Sequence, residues 1–391
     1  MTFSIRTGLE VFVDGGGREL DGMNVGLVTN PNGVDRTFRS GIELLHESAR
    51  VQLKALFGPE HGVRGDAQAG AHIPAATDPG TGLPVYSLYG ETRRPTPEML
   101  EGLDAAIIDM QDLGVRYATY LSTMIEVQAA ANDAGIEVVI FDRPNPLADI
   151  AREGNLLEPA FTSFVGSHPI PIRHGMTLGE LGSLIAHERG WKAPIVVPVD
   201  GLVRETWYDE TGIPWILPSP NMPTLDALTL YGGTCLIEGT SLSEGRGTTR
   251  PFEFVGAPGV DANALAADLT SRELPGLSYR PVHFSPSFSK HKDEICAGVQ
   301  VYCTDRTIMC SAPLGIHLLH ALKTHTPDFS WVTPWDDGRP YFIDLLLGSD
   351  KPRLALDGGA TPDEIMTNWV IETADFDVRR RPFLLYPEGG R

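Results

Sequence analysis

Cysteine is scarce in this chain, with four among 391 residues, and no two of them form a C-x-x-C pair. That pair is the usual sign of a structural zinc site or a redox dithiol, so neither is indicated. Cys296 and Cys303 are seven positions apart in a strand-like run, and an odd separation puts their side chains on opposite faces. We therefore expect reduced, mostly buried thiols that hold no metal.

Basic residues are also few, since 31 Lys and Arg stand against 51 Asp and Glu and give a net charge of −20. A field of that sign repels nucleic acid and anionic membrane surfaces, so neither is expected as a partner. No apolar run approaches the roughly 20 residues of a membrane span. The first twenty residues lack the basic start and apolar core of a signal peptide, which predicts a cytoplasmic location.

A dinucleotide fingerprint is missing as well, because the first strand-like run is followed by TNPNGVD and not by G-x-G-x-x-G. Glycine and proline, in contrast, are plentiful, with 42 and 31 residues spread between recurring apolar runs. This distribution indicates the turns and shaped loops of a globular chain. The length predicts about two to three domains.

Short apolar segments alternate with helical patterns in the first half of the chain. Strands are expected at 24–30, 51–57, 84–89, 105–110, 136–141 and 194–199, and helices at 41–47, 97–102, 120–134 and 177–189. Strands that are apolar on both faces and alternate with helices predict a mainly parallel sheet covered on both sides. We therefore predict a Rossmann-like α/β domain, without a dinucleotide, over residues 1–220. Helices at 261–270 and 312–323 and a strand at 295–303 predict a smaller α+β domain over residues 221–391.

The most heavily charged loop follows the second strand, in the stretch KALFGPEHGVRGD at 54–66. Its apolar run is broken by a glycine and a proline, and the ionisable residues Glu60, His61, Arg64 and Asp66 come next. Catalytic residues concentrate on such loops, so Glu60 is a candidate catalytic acid or base. The alternative is a turn whose charges satisfy one another.

Polar residues also fall at the ends of the other strands, namely Asn30, Asn32, Asp109, Asp112, Asp142, Arg143 and Asn145. In open α/β sheets ligands bind at that edge, so these segments are expected to converge on one crevice. Two later stretches, SPNMPT at 219–224 and IEGTSLSEGRGTTRPFE at 237–253, have a similar composition. They predict an opposite wall that carries Asn221, Glu238, Glu244, Arg246 and Arg250.

These residue types suit hydrolysis of a glycosidic bond. That reaction needs an acid for the leaving oxygen, and a second group, either a carboxylate or the substrate's own acetamido group, at the oxocarbenium-like centre. Glu60 suits the first role, and the candidates for the second are Asp109, Asp112, Glu238 and Glu244. The arginines of the same loops, Arg64, Arg116, Arg143, Arg246 and Arg250, suit bidentate binding of a carboxylate or neutralisation of neighbouring acids.

The blocks FGPEHGVRGD, VYSLYG, IIDMQDLGVRYATYLSTM, VIFDRPNPL, GMTLGELG, SPNMPT, EGTSLSEGRGTTRPFE and RRPFLLY resemble, in order and spacing, the family of exo-β-N-acetylmuramidases of the NamZ type. The resemblance covers nearly the whole chain. It implies two domains with a cleft between them and no metal or organic cofactor. It also implies release of N-acetylmuramic acid (MurNAc) from the non-reducing end of peptidoglycan fragments of the MurNAc-GlcNAc type. Members of the family are often exported, whereas this sequence shows no signal peptide, which favours intracellular recycling of muropeptide sugars. The family's first-motif glutamate falls on Glu60.

From the residues and the resemblance together we predict a catalytic set of Glu60, Asp109 and Glu244. The predicted substrate-binding set is His61, Arg64, Asp112, Arg116, Tyr117, Asp142, Arg143, Asn221, Glu238 and Arg246. The first alternative is a non-catalytic protein that binds muropeptides or amino sugars. A nucleotide-dependent oxidoreductase is disfavoured by the missing fingerprint. A metal-dependent hydrolase would draw on His61, Asp66, His72, Asp109 and His174, which have no recognised ligand spacing.

Overall fold

A seven-stranded sheet forms the first half of the molecule in the computed structural model, which describes residues 5–65, 76–334, 336 and 338–389. Its strands are β1 (Asn24–Thr29), β2 (Gln52–Gly58), β3 (Ala76–Thr77), β4 (Pro84–Ser87), β5 (Ala105–Asp109), β6 (Glu137–Phe141) and β7 (Ile195–Val197). Their order is β3-β4-β2-β1-β5-β6-β7. Only the β3–β4 pairing is antiparallel. The predicted mainly parallel α/β fold is confirmed.

Helices cover both faces of this sheet, namely α1 (Gly8–Val13), α2 (Gly41–His46), α3 (Thr119–Ala134) and α4 (Leu178–Arg189). Neighbouring residues of β5 show why both faces are apolar. Ile107 packs with α1 and α2, and Ile108 packs with α3 and α4, because side chains alternate along a strand. The two faces therefore bury separate cores. No helix among the described residues is long and apolar enough to cross a membrane.

The chain reverses its direction of travel across the sheet at β1, which pairs with β2 on one side and with β5 on the other. The loops after these strands all emerge at the same edge. Loop residues beyond that edge, such as Val115 and Tyr117, belong to a core shared with the second half of the chain. The strand ends are thus covered by the C-terminal part, and the loops between them line the junction.

The C-terminal part is built on a three-stranded antiparallel sheet in the order β8-β10-β9. Its strands are β8 (Phe254–Ala257), β9 (Leu277–Phe284) and β10 (Cys296–Cys303). Its helices are α5 (Leu225–Thr234), α6 (Ala262–Ser271), α7 (Ser311–His325), α8 (Phe342–Leu347), α9 (Lys351–Asp357), α10 (Pro362–Met366) and α11 (Trp369–Arg380). In β10 the thiol of Cys296 is buried and that of Cys303 is half-buried.

The last helix, α11, returns to the N-terminal sheet. Its Phe376 is fully buried in the core beneath α3 and α4. Its Arg379 donates to both carboxylate oxygens of Glu188, at 3.0 and 2.9 Å. His168 approaches the same carboxylate through Nε2 at 2.7 Å. A buried histidine therefore lies where the end of the chain docks on α4.

This histidine predicts a loss of stability in acid. Burial lowers the pKa of His168 to about 4 despite the Glu188 carboxylate, whereas an unfolded histidine titrates near 6.5. The unfolded chain therefore takes up a proton that the folded chain does not, and the stabilisation present above pH 6.5 is lost as pH falls towards 4. We expect about 2 kcal/mol less unfolding free energy at pH 5 than at pH 7 from this residue.

The measurement is urea unfolding at both pH values for the unmutated chain and for His168→Gln, in which the loss should be smaller by that amount. The solvent-exposed His46 provides the matched control, His46→Gln. An equal pH slope in all three proteins would contradict the assignment.

Candidate active site

A cavity of about 440 Å³ lies between the strand-end loops of the first part and the helices of the second. From the first part it is lined by Glu60, Tyr89, Arg93, Tyr117, Thr119, Ser163, Phe164 and Val165. From the second part it is lined by Tyr231, Cys235, Glu238, Arg246, Arg339, Phe342, Leu345 and Leu346. This size is within the range typical of small-ligand sites.

Glu60 is presented by a tight turn directly after β2. Pro59 follows the last residue of the strand, and its carbonyl accepts from the Gly62 amide at 2.9 Å. His61 and Gly62 both adopt positive φ, 73° and 76°, which closes the turn. The hydroxyl of Thr119, the first residue of α3, donates to Glu60 Oε2 at 2.7 Å. The carboxyl group is therefore held in one orientation inside the cavity.

Tyr89 lies against the same carboxyl group from the loop after β4. Burial, together with the negative charge of Glu60, raises the pKa of Tyr89 to about 12. The phenol therefore keeps its proton at neutral pH and can donate to Glu60 or to a ligand. Two hydroxyl groups, from Thr119 and Tyr89, thus surround the carboxyl group that faces the cavity.

The facing wall carries Glu238 and Arg246. Arg246 Nη2 donates to Glu238 Oε1 at 2.8 Å, and its Nε lies 3.3 Å from Glu244 Oε1. Burial works against the charge of this guanidinium, but the two carboxylates outweigh burial and raise the pKa of Arg246. The guanidinium carbon of Arg246 lies 5.1 Å from the ring centroid of Phe252. Arg246 is therefore a fixed cation between two acids.

Glu244 lies behind this wall and does not line the cavity. It is nearly inaccessible to solvent, and Lys290 Nζ donates to its Oε2 at 3.1 Å. The same ammonium donates to the carbonyls of Ile237, Glu238 and Leu242. These contacts fix the backbone of the loop that presents Glu238 and Arg246.

Asp109 and Arg143 form a buried pair that also lies outside the cavity. Arg143 Nε and Nη2 donate to the two carboxylate oxygens of Asp109 at 2.6 and 3.1 Å. Both side chains are almost completely inaccessible. The pair links the ends of the adjacent strands β5 and β6, where each charge neutralises the other.

Arg116 and Tyr117 follow β5 but have different surroundings. The Arg116 guanidinium is fully buried and donates to four backbone carbonyls, those of Asn155, Ile170, Leu346 and Leu347. Tyr117 does line the cavity, and its hydroxyl donates to the Gly232 carbonyl. Both residues thus tie the first part of the chain to the second.

The remaining predicted binding residues lie around the cavity rather than in it, except that His61 lines a recess of about 60 Å³ beside Glu60. Arg64 pairs with Asp78. Asp112 accepts from the Gly114 amide at 2.8 Å. Asn221 is buried after the Ser219 turn.

Asp142 anchors the end of the chain to the N-terminal sheet. Burial raises its pKa to about 6, while the hydroxyls of Thr177 and Tyr386 donate to its carboxylate and moderate the shift. The Gly179 amide donates to Oδ1 at 2.9 Å. Its contacts are those of a structural carboxylate at the N-terminus of α4.

The proposed metal ligands are dispersed among the residues that the structure describes. His174 Nε2 lies 3.4 Å from Asp112 Oδ2, while Asp109 binds Arg143. Asp66 and His72 lie outside the described residues. No group of three or more His, Cys, Asp or Glu side chains in the described ranges is arranged to hold a metal ion.

Sequence reasoning did not single out Tyr89, Arg93, Thr119 and Phe164, which line the cavity around Glu60. Tyr89 and Thr119 lie in blocks that were recognised, VYSLYG and the segment RYATY. The order of the strands supplies the missing signal, because β4 lies beside β2 and its loop therefore emerges next to Glu60.

The chain is similar over almost its full length to proteins of one family. The family model for the N-terminal part of exo-β-N-acetylmuramidase NamZ matches residues 25–226, and the model for the C-terminal part matches residues 229–386. A Bacillus subtilis (strain 168) protein named peptidoglycan β-N-acetylmuramidase NamZ is 41% identical over 384 residues, which are 98% of this chain and 91% of that protein.

Two crystal structures of DUF1343 family proteins from Bacteroides fragilis NCTC 9343 share the fold. One superposes with a TM-score of 0.90 at 37% identity, and the other with 0.78 at 29% identity. In each case the match covers 98% of this chain and 99% of the other. The likeness therefore extends over both parts of the molecule.

Proposed function

Since the chain belongs to the exo-β-N-acetylmuramidase NamZ family, we propose that it is an exo-acting glycoside hydrolase. It releases β-linked MurNAc from the non-reducing end of peptidoglycan fragments, and MurNAc-GlcNAc is its simplest substrate. One observation carries the proposal. Glu60 from the first part and the Glu238–Arg246 pair from the second line the same cavity.

In this mechanism Glu60 is the general acid that protonates the leaving glycosidic oxygen. Such a group must be aimed at the oxygen before the reaction, since proton transfer depends on geometry within hydrogen-bond reach. The Thr119 hydroxyl fixes Oε2 of Glu60, and the protonated phenol of Tyr89 borders the same carboxyl group. These two residues therefore position the acid.

The second role belongs to a group that stabilises or captures the oxocarbenium-like centre. Of the carboxylates predicted from the sequence, Glu238 is the one that lines the cavity besides Glu60, and Arg246 keeps it oriented. The acetamido group of an N-acetylated sugar is the other candidate. In this proposal Asp109 and Glu244 have structural roles, because Arg143 and Lys290 occupy their carboxylates.

The test uses two disaccharides that differ in the order of their sugars. We expect release of free MurNAc and GlcNAc from β-linked MurNAc-GlcNAc. Chromatography and mass spectrometry would detect the two sugars. GlcNAc-MurNAc, whose MurNAc is at the reducing end, should remain intact because an exo-acting enzyme starts from the non-reducing sugar. Internal cleavage of longer glycans would contradict exo action.

The alternative is a non-catalytic protein that binds muropeptides or amino sugars. It predicts binding of MurNAc-GlcNAc without release of either sugar by the unmutated protein.

Peptidoglycan recycling inside the cell and the cytoplasmic location stay predictions, which fractionation of the native host with an antibody to this chain would check.

A further inference from the structure

The arginines predicted to bind an acidic substrate already have protein partners. Three of them form ion pairs with one acid each: Arg64 with Asp78, Arg143 with Asp109, and Arg250 with Glu253. Arg246 lies between two glutamates. Arg116 donates to backbone carbonyls. A carboxylate arriving in the cavity would have to compete with these contacts. An acidic ligand in the cavity therefore needs a different cation on the cavity wall.

Arg93 is a cation of a different kind on that wall. It follows β4, lines the cavity with Glu60, and is exposed to solvent. Its guanidinium carbon lies 4.3 Å from the ring centroid of Phe164 and 5.4 Å from that of Tyr89. Within the described ranges no carboxylate lies at ion-pair distance from it.

The two aromatic rings hold the guanidinium without neutralising it. Their centroids are 5.8 Å apart and their planes are inclined by 52°, so that both rings border the same arginine. A guanidinium that stacks on rings interacts through its face, and its N–H groups point outward along its edge. That edge matches the two oxygens of a carboxylate.

Tyr89 also places this cation relative to the reacting bond. Its ring contacts Arg93, and its hydroxyl end lies against the Glu60 carboxyl group. One side chain therefore separates the acid from the cation, and both face a cavity the size of a sugar-binding site. A single sugar ring can then present its glycosidic oxygen to Glu60 and an acidic substituent to Arg93.

We propose that Arg93 determines specificity by binding the carboxylate of the lactyl ether, the group that distinguishes MurNAc from GlcNAc. This inference rests on the proposed function for the identity of the sugar. The rings of Tyr89 and Phe164 hold the guanidinium in place before the ligand binds. The ligand carboxylate supplies the negative partner that no described protein side chain provides.

The test measures binding and turnover for Arg93→Met, Arg93→Lys and the unmutated chain. Binding is followed by titration calorimetry with free MurNAc and free GlcNAc, and turnover with the p-nitrophenyl β-glycosides of the two sugars. Arg93→Met should weaken MurNAc binding and lower kcat/KM for its glycoside by about 10- to 100-fold, with GlcNAc values changed less than threefold. Arg93→Lys should fall between, because it keeps the charge and loses the planar fork.

Arg94 offers a matched control in the next position. It pairs with Asp133 of α3 and does not line the cavity, so Arg94→Met should leave both sugars unaffected. Equal losses for MurNAc and GlcNAc in Arg93→Met, or no loss, would overturn the inference, as would equal affinity of the unmutated chain for the two sugars. If the unmutated chain prefers MurNAc through Arg93 but hydrolyses neither glycoside, the inference stands and the proposed hydrolase activity falls.

Discussion

Glu60→Gln is expected to lower kcat for release of MurNAc by about two to four orders of magnitude, the usual contribution of a general acid. The amide has the same shape and can still accept from Thr119 at its carbonyl oxygen, so the turn after β2 should be unchanged. It has no proton to give to the leaving oxygen. The measurement is the initial rate on MurNAc-GlcNAc, with calorimetric binding of the same disaccharide to the variant.

Binding within about threefold of the unmutated value, combined with the loss of rate, would assign Glu60 to the chemical step. The solvent-exposed Glu101 gives the matched control, and Glu101→Gln should retain full activity. Unchanged MurNAc release by Glu60→Gln would remove this carboxylate from the mechanism. A parallel loss of binding and rate would indicate a role in holding the sugar instead.

The parallel sheet could be predicted because its central strands β1, β5 and β6 are buried on both faces. The six expected strands of the first half correspond to β1, β2, β4, β5, β6 and β7. The missed strand β3 has two residues, which are too few to show any period. The C-terminal strands were harder because β9 is largely exposed and contains Pro281, Arg280 and His283, which interrupt an apolar alternation.

Two helices of the C-terminal part, α5 and α11, were not predicted, for different reasons. In α5 nearly every residue from Ala227 to Thr234 is buried, and two glycines end the pattern. Helix α11 is amphipathic, but its apolar side covers the N-terminal sheet, far away along the chain. Sequence periodicity shows that a face is buried and does not show what buries it.

The candidate site was predictable only in part, because a charged residue at a strand end has two possible uses. Glu60 and Glu238 face the cavity, whereas Asp109 faces the neighbouring strand and pairs with Arg143. In the sequence Glu60 and Asp109 both stand at a strand end, whereas Glu238 lies in a later loop of similar composition. The pairing of β5 with β6 is the information that separates them, because it places Asp109 and Arg143 side by side.

Arg116 provides the sharpest contrast between a binding role and a structural one. In the sequence it follows Asp109 and Asp112, and it was predicted to bind substrate. The fold instead surrounds its guanidinium with carbonyls from the loop at Asn155 and Ile170 and from α8 at Leu346 and Leu347. Burial lowers the pKa of Arg116 to about 10, so the cation remains charged at neutral pH.

Arg116→Met should therefore lower the unfolding free energy by about 3 to 5 kcal/mol, because buried carbonyls on both sides of the junction between the two parts of the chain lose their donors. Arg116→Lys should lose less, since an ammonium supplies three donors. Urea unfolding would measure both, with Arg39→Met as the control, because Arg39 and its ion-pair partner Glu47 are both exposed at the surface. That surface pair should contribute less than about 1 kcal/mol.

One further measurement distinguishes a structural role of Arg116 from a binding role. It is the KM of folded Arg116→Met for MurNAc-GlcNAc. A structural role leaves KM within a fewfold of the unmutated value while stability falls, because the residue does not line the cavity. A binding role gives the opposite result, with unchanged stability and a raised KM. Four carbonyl partners and complete burial favour the first outcome, since both Nη groups of the guanidinium are already engaged by the backbone and the side chain is closed off from the cavity.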